Sequence, residues 1–223
     1  MAIKAIFFDV NETTLDLAPL KASIGAALGG REDLLPLWFT TLLQYSLVDT
    51  LTQTYRDFAD VGVATLQMIA QKYDVALTRA QAEDAVRDPF TKMPAHPDVI
   101  PALQELRASG VRLVVLANSA ADVLAAQFEF AQIAPYFERV ISVEEVKAFK
   151  PDPRPYLHAL KTLDLRAEEV AMVAAHAWDL AGAKKVGLRT VFVARKGQVL
   201  YPNAARPDHV IPSFAELKAA LAL

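Results

Sequence analysis

The sequence predicts a doubly wound parallel α/β domain carrying an inserted helical cap, and three observations predict it. Short apolar runs rich in Val, Ile and Phe recur along the chain, the pattern of strands buried on both faces of a parallel sheet. From residue 97 onward these runs alternate with stretches of helical spacing, as βαβ crossovers require. Between the first run and the others, helical spacing continues through residues 16–95 with no convincing strand.

The first predicted strand is Ile3–Val10, apolar at nearly every position except Lys4. Val111–Ala117, Val140–Val143, Val170–Ala174 and Thr190–Ala194 follow, and Val210-Ile211 adds a short sixth. The intervening helices are predicted at Pro97–Ser109, Ala120–Phe130, Pro153–Leu163 and Leu180–Val186. In the insert, Leu34, Leu37, Trp38, Thr41, Leu42 and Tyr45 recur at three and four, as do Phe58, Val61, Thr65, Met68 and Ile69; both stripes predict core packing. Met93-Pro94-Ala95-His96-Pro97 reads as the return linker, because its prolines disfavour helix on either side. The expected division is therefore a core domain of residues 1–15 and 96–223 and a helical cap domain of residues 16–95.

With 223 residues, 53% of them hydrophobic and 22% charged, the chain can bury a large core and is not a disordered one. The net charge is −3 and no basic run occurs, so a nucleic-acid partner is not expected. The absence of cysteine excludes thiolate catalysis, zinc knuckles and disulfides, and fits a reducing compartment. No stretch approaches the ~20 apolar residues of a membrane span, and the opening run is too short for a secretion signal. The expectation is a cytoplasmic protein with no membrane partner. The apolar helix through Trp38 is a candidate homodimer face.

Ligands of open parallel sheets bind beyond the carboxyl ends of the strands, so the polar residues there are the ones to weigh. Asp9 ends the first strand and precedes a turn, which makes it the first candidate for a carboxylate nucleophile; its plainer role is a loop or capping acid. Lys150 could hold Asp9 ionised, and Asp179 could hold Lys150, against the ordinary alternatives of a surface lysine and a helix cap. His176 stands at the end of the fourth strand and suits a water-activating base; Trp178 suits a pocket wall. Ser119, His176 and Asp179 could form a hydrolytic triad, but no GxSxG elbow supports one. Neither GxxxxGK nor GxGxxG occurs, which excludes nucleotide binding through those motifs.

Four segments occur in the order of the four motifs of the haloacid dehalogenase (HAD) superfamily: Asp9-Val10-Asn11-Glu12-Thr13-Thr14-Leu15, Leu116-Ala117-Asn118-Ser119, Lys147 through Tyr156, and Ala174 through Asp179. The chain resembles that superfamily over nearly its whole length, and its FKPDPRPY and AWD segments are most similar to the type II (S)-2-haloacid dehalogenase branch. The resemblance implies a Rossmann-like HAD core with a cap, no cofactor or metal, and a small anionic substrate. It also implies a two-step hydrolysis in which Asp9 displaces halide from a 2-haloacid and water cleaves the resulting ester. Asp9, Lys150, Asp179 and His176 are then the catalytic candidates, and Asn11, Thr13, Phe39, Asn118, Ser119, Tyr156 and Trp178 the substrate-binding ones.

The competing readings are a diverged HAD phosphatase and a non-catalytic small-anion binding module. A phosphatase needs a second acid two residues after its nucleophile, and Asn11 cannot donate a carboxylic proton. Three departures from the dehalogenase pattern also stand out. Phe39 follows Trp38 where the branch has arginine, while Ala117 and Ala174 replace hydroxyl residues. Arg31 and Arg56 are the cap cations that could compensate, although surface charge is their plainer role.

Overall fold

The computed structural model describes residues 2–223. Among the described residues, six parallel strands form one sheet in the order β3-β2-β1-β4-β5-β6. They are β1 (Ala5–Phe8), β2 (Arg112–Ala117), β3 (Arg139–Ser142), β4 (Val170–Ala174), β5 (Arg189–Val193) and β6 (His209–Ile211). Every residue of β1 is buried, because helices cover both faces of the central strands. The chain leaves β1 towards β2 and β3, then returns to the other side of β1 as β4. The switch point therefore lies between β1 and β4, where the Asp9 amide donates to the Val173 carbonyl at 3.0 Å.

The helical insert contains α1 (Ala18–Ala27), α2 (Leu35–Leu51), α3 (Phe58–Lys72) and α4 (Arg79–Thr91). Asp57 caps α3 by accepting the Asp60 amide, and Thr78 opens α4 in a reciprocal cap with Gln81. Trp38, Leu42, Val61, Leu66 and Ile69 are buried between these helices, and the Trp38 indole N–H donates to the Gly62 carbonyl at 2.9 Å. Two chain segments connect the insert to the sheet. Leu15 and Ala95 bridge antiparallel, and the Asp16 and His96 amides donate to the carbonyls of Pro94 and Thr14.

The remaining helices are α5 (Val99–Ala108), α6 (Ala121–Phe130), α7 (Pro153–Leu163), α8 (Ala177–Val186) and the short α9 (Leu217–Ala220). Two expectations need correction. Met68 lies on the solvent side of α3, 40% exposed, because the stripe's core-facing edge is carried by Thr65 and Ile69. Helix α8 begins three residues before the predicted start, with His176 as its N-terminal flanking residue, so Asp179 falls inside its first turn rather than at its cap. In the helix through Trp38 that residue is wholly buried within the chain, and the apolar side chains that α2 exposes are Leu47, Val48 and Leu51. Among the described residues, no helix is long and apolar enough to cross a membrane.

Candidate active site

Asp9 follows β1 at the switch point, with its side chain almost fully buried. Lys150 reaches it from the loop before α7, and its ammonium is entirely shielded from solvent. The three ammonium protons have three acceptors: Asp9 Oδ1 at 2.9 Å, the Leu116 carbonyl at 2.8 Å and Asp179 Oδ2 at 2.6 Å. Thr13 donates its hydroxyl to Asp9 Oδ2 at 2.6 Å and accepts the Ala175 amide at 2.9 Å, which ties the turn after β1 to the end of β4. Thr14 donates to the Asp9 carbonyl, fixing the backbone as well.

Burial by itself would raise the Asp9 carboxyl, but the Lys150 ammonium, His176 and the Thr13 hydroxyl outweigh it and hold Asp9 well below the ordinary carboxylate range. Burial opposes the charge on Lys150, yet Asp179 and Asp9 raise it above an ordinary lysine. Asp179 is pushed up by burial and by the negative charge on Asp9, with Lys150 pulling the other way. The site thus keeps one carboxylate ionised and unable to drift. Such a group can attack an electrophilic carbon.

His176 lies across Asp9 from Lys150, its Nδ1 3.0 Å from Asp9 Oδ2 and its Nε2 2.9 Å from Glu12 Oε2. Burial disfavours the imidazolium, but the two carboxylates raise it to about 9. The ring stacks on Trp178 at 5.0 Å between centroids and meets Phe39 at 6.2 Å. Asp9, Asn11, Phe39, Leu43, Phe58, Asn118, His176 and Trp178 are among the walls of a cavity of about 10 Å³, room for a single water molecule.

Of the residues expected at the site, Asn11, Phe39, Asn118 and Trp178 line this cavity, whereas Thr13, Ser119 and Tyr156 stand behind it. Tyr156 is fully buried and donates its hydroxyl to Asp179 Oδ1 at 2.6 Å, so it supports Asp179. Ser119 accepts a long contact from Asn11 Nδ2 at 3.4 Å. His176 pairs with Asp9 and Glu12, and the Asp179 carboxylate with Lys150 and Tyr156, so no Ser-His-Asp triad is assembled. Asn118 accepts the Lys150 amide through Oδ1, which fixes which end of its side chain points back into the protein. Arg31 pairs with Asp33 and Arg56 with Asp49, so neither takes the place of the arginine absent at position 39. Glu12, Leu43 and Phe58 were not singled out by sequence. Phe58 belongs to a stripe that predicts core packing, Leu43 lies outside the predicted stripe of its helix, and Glu12 meets His176 only through the fold.

A profile of haloacid dehalogenase-like hydrolases matches residues 3–187. The chain is 31% identical to (S)-2-haloacid dehalogenase 1 of Pseudomonas sp. (strain CBS-3), over 96% of this chain and 95% of that one. This protein belongs to the haloacid dehalogenase-like hydrolases. A second member similar to it is (S)-2-haloacid dehalogenase 4A of Burkholderia cepacia, 29% identical over 97% of this chain and 94% of that protein. The structure of L-2-haloacid dehalogenase from Xanthobacter autotrophicus superposes with a TM-score of 0.92 at 25% identity, covering 99% of this chain and 98% of the other. The same enzyme has also been solved with chloropropionic acid covalently bound, with the same TM-score and coverage. Within the haloacid dehalogenase-like hydrolases, the similarity therefore points to the (S)-2-haloacid dehalogenase branch.

Proposed function

We propose that this hydrolase removes halide from a small 2-haloacid through an ester formed on Asp9. The observation that carries the reading is the Asp9 carboxylate itself: it is held ionised by Lys150 at 2.9 Å and stands in the wall of a cavity under Phe39. In the first step an Asp9 oxygen attacks C2 of the substrate and halide departs. In the second, water attacks Asp9 Cγ and the 2-hydroxyacid leaves with the former Asp9 oxygen.

Lys150 orients the nucleophile and faces the oxygen on which negative charge develops when water adds to the ester. Asp179 and Tyr156 hold Lys150 in place, and Thr13 fixes the second Asp9 oxygen. His176, 3.0 Å from that oxygen, is the candidate for moving protons in the second step. The chemistry needs no cofactor. Phosphate-ester hydrolysis fits less well, since Asn11 offers no carboxylic proton to a leaving oxygen and the Asp179 carboxylate is committed to Lys150 and Tyr156. Phe39, Leu43 and Phe58 closing over Asp9 favour a small substrate, and residues 16–95 then serve as the cap domain.

Incubation with chloroacetate or 2-chloropropionate in EDTA, with chloride followed in time, tests the reading. Chloride release is expected, and no turnover over a panel of short 2-haloacids overturns it. Turnover in ¹⁸O-water should place label in the peptide containing Asp9. Unlabelled Asp9 after many turnovers means that water attacks the substrate directly.

A further inference from the structure

The turn after the nucleophile holds a residue that the two-step scheme leaves unused. Glu12 has φ 59°, in the left-handed region that glycine enters without steric cost and a glutamate does not. The turn is clamped in that shape. Arg195 donates from Nε and Nη2 to the Thr13 carbonyl at 3.1 and 3.0 Å and from Nη1 to Asp98 at 2.8 Å. His96 Nε2 stands 3.3 Å from the Glu12 carbonyl. The result of this shape is that the Glu12 carboxylate meets His176 Nε2 at 2.9 Å while Nδ1 of the same ring faces Asp9 Oδ2 at 3.0 Å.

We propose that Glu12 is a positioning residue that holds His176 with Nε2–H directed at its carboxylate, so that Nδ1 alone serves the attacking water and the leaving oxygen of ester hydrolysis. The inference rests on the dehalogenase reading. A carboxylate on one imidazole nitrogen fixes the tautomer and leaves the other free to accept a proton.

The sequence of events balances as follows. Halide leaves as the Asp9 Oδ2–C2 bond forms. Esterified Asp9 carries no charge, so His176 keeps only the Glu12 carboxylate as an anionic partner and releases its Nδ1 proton to solvent. Water then adds to Cγ and gives a proton to Nδ1, and the oxyanion forms on Oδ1 beside Lys150. Collapse breaks the Cγ–Oδ2 bond, and Nδ1 returns the proton to Oδ2, which leaves as the product hydroxyl. The new carboxyl passes its remaining proton to Nδ1. Overall the haloacid and water give the hydroxyacid, halide and one proton.

Charges facing the ring come from Asp9 after β1 and Glu12 in the turn, with Lys150 and Asp179 beyond Asp9; Phe39 of α2 and Trp178 of α8 bring none. His176, raised to about 9 by two carboxylates in the resting site, stays charged there and becomes a base only when one of them is consumed.

Glu12→Gln and Glu12→Gly, the latter suited to the backbone shape of the turn, test the assignment with chloroacetate as substrate. Both variants should release about one chloride per site and then accumulate the ester on Asp9, seen by intact mass, because hydrolysis falls about 10²-fold. The acidic limb of the hydrolysis rate should move to lower pH, since His176 has lost its remaining carboxylate. If the wild type turns over and both variants hydrolyse the ester at its rate, or slow both steps equally with the pH profile unmoved, the role assigned to Glu12 is wrong and the dehalogenase reading survives. If the wild type neither releases chloride nor carries an ester, that reading falls and this inference with it.

Discussion

Lys150 Nζ and Asp9 Oδ1 form an ion pair at 2.9 Å in which the ammonium has no contact with solvent. Coulomb attraction at that depth is strong only because the ammonium's other two protons also have acceptors, on Leu116 and Asp179. The pair is therefore both a catalytic device and a structural commitment.

Replacing Lys150 with methionine leaves the buried Asp179 without a cation and Asp9 with His176 as its remaining one. We expect a loss of about 3–5 kcal/mol of stability near neutral pH. Asp179, already pushed up by burial and by Asp9, then lies further above its unfolded value, so the variant's deficit should shrink as pH falls and it becomes protonated. Urea unfolding at pH 4.5 and 7.5 checks the sign. An equal loss at both values would mean that Asp179 is not the group responsible.

The His176 pairing gives the wild type a stability term with its own pH window. The folded value of about 9 lies above the ordinary 6.5, so the contribution is fully present below about pH 6.5 and disappears as pH rises through 9. The full term is on the order of 3 kcal/mol. Asp9 acts in the opposite direction: its depressed carboxyl stabilises above about pH 4 and ceases to do so on strong acidification. A His176→Gln variant should show a flatter unfolding midpoint between pH 6 and 9.5 than the wild type.

Phe39 is 7% exposed and forms one wall of the cavity over Asp9. Phe39→Ala should cost about 3 kcal/mol in stability through the void it leaves. The same void should shift kcat/KM towards 2-chlorobutyrate relative to chloroacetate by about tenfold. Steady-state kinetics on the two acids measure this ratio, and an unchanged ratio would remove Phe39 as the limit on chain length.

Gly182 on α8 lets that helix approach the lysine loop. A methyl group there would lie 2.6 Å from both Cβ and the carbonyl oxygen of Pro151 and 2.8 Å from the Tyr156 hydroxyl. Gly182→Ala should destabilise by about 1–3 kcal/mol. It should also lower kcat more than its thermal shift explains, because Pro151 cannot move without Lys150. Normal kcat in a destabilised variant would show that the loop yields without carrying the ammonium along.

The sheet was legible because β1, β2 and β4 are buried on both faces and so read as continuous apolar runs. Strand ends then led to Asp9, Asn118 and His176 without further information. Lys150 lies 141 residues from Asp9, and only their common placement near strand ends and the motif resemblance bring the two together in sequence. Glu12 was harder still: its meaning depends on a left-handed backbone and on a histidine 164 residues away, and neither leaves a local signature. Tyr156 was assigned to substrate because sequence gives membership in a constellation but not depth within it. Its hydroxyl lies one shell further back, on Asp179.

The single-water cavity over Asp9 has a mechanical consequence. A haloacid is several times larger than the space enclosed by Phe39, Leu43, Phe58 and Trp178, so substrate capture and product escape require those side chains to withdraw. Three of them ride on α2 and α3, and the chain enters and leaves the insert through the paired segments at Leu15 and Ala95. Flexing at this crossing is what would give the substrate its door, and turnover should slow in viscous solvent to the extent that opening sets the pace.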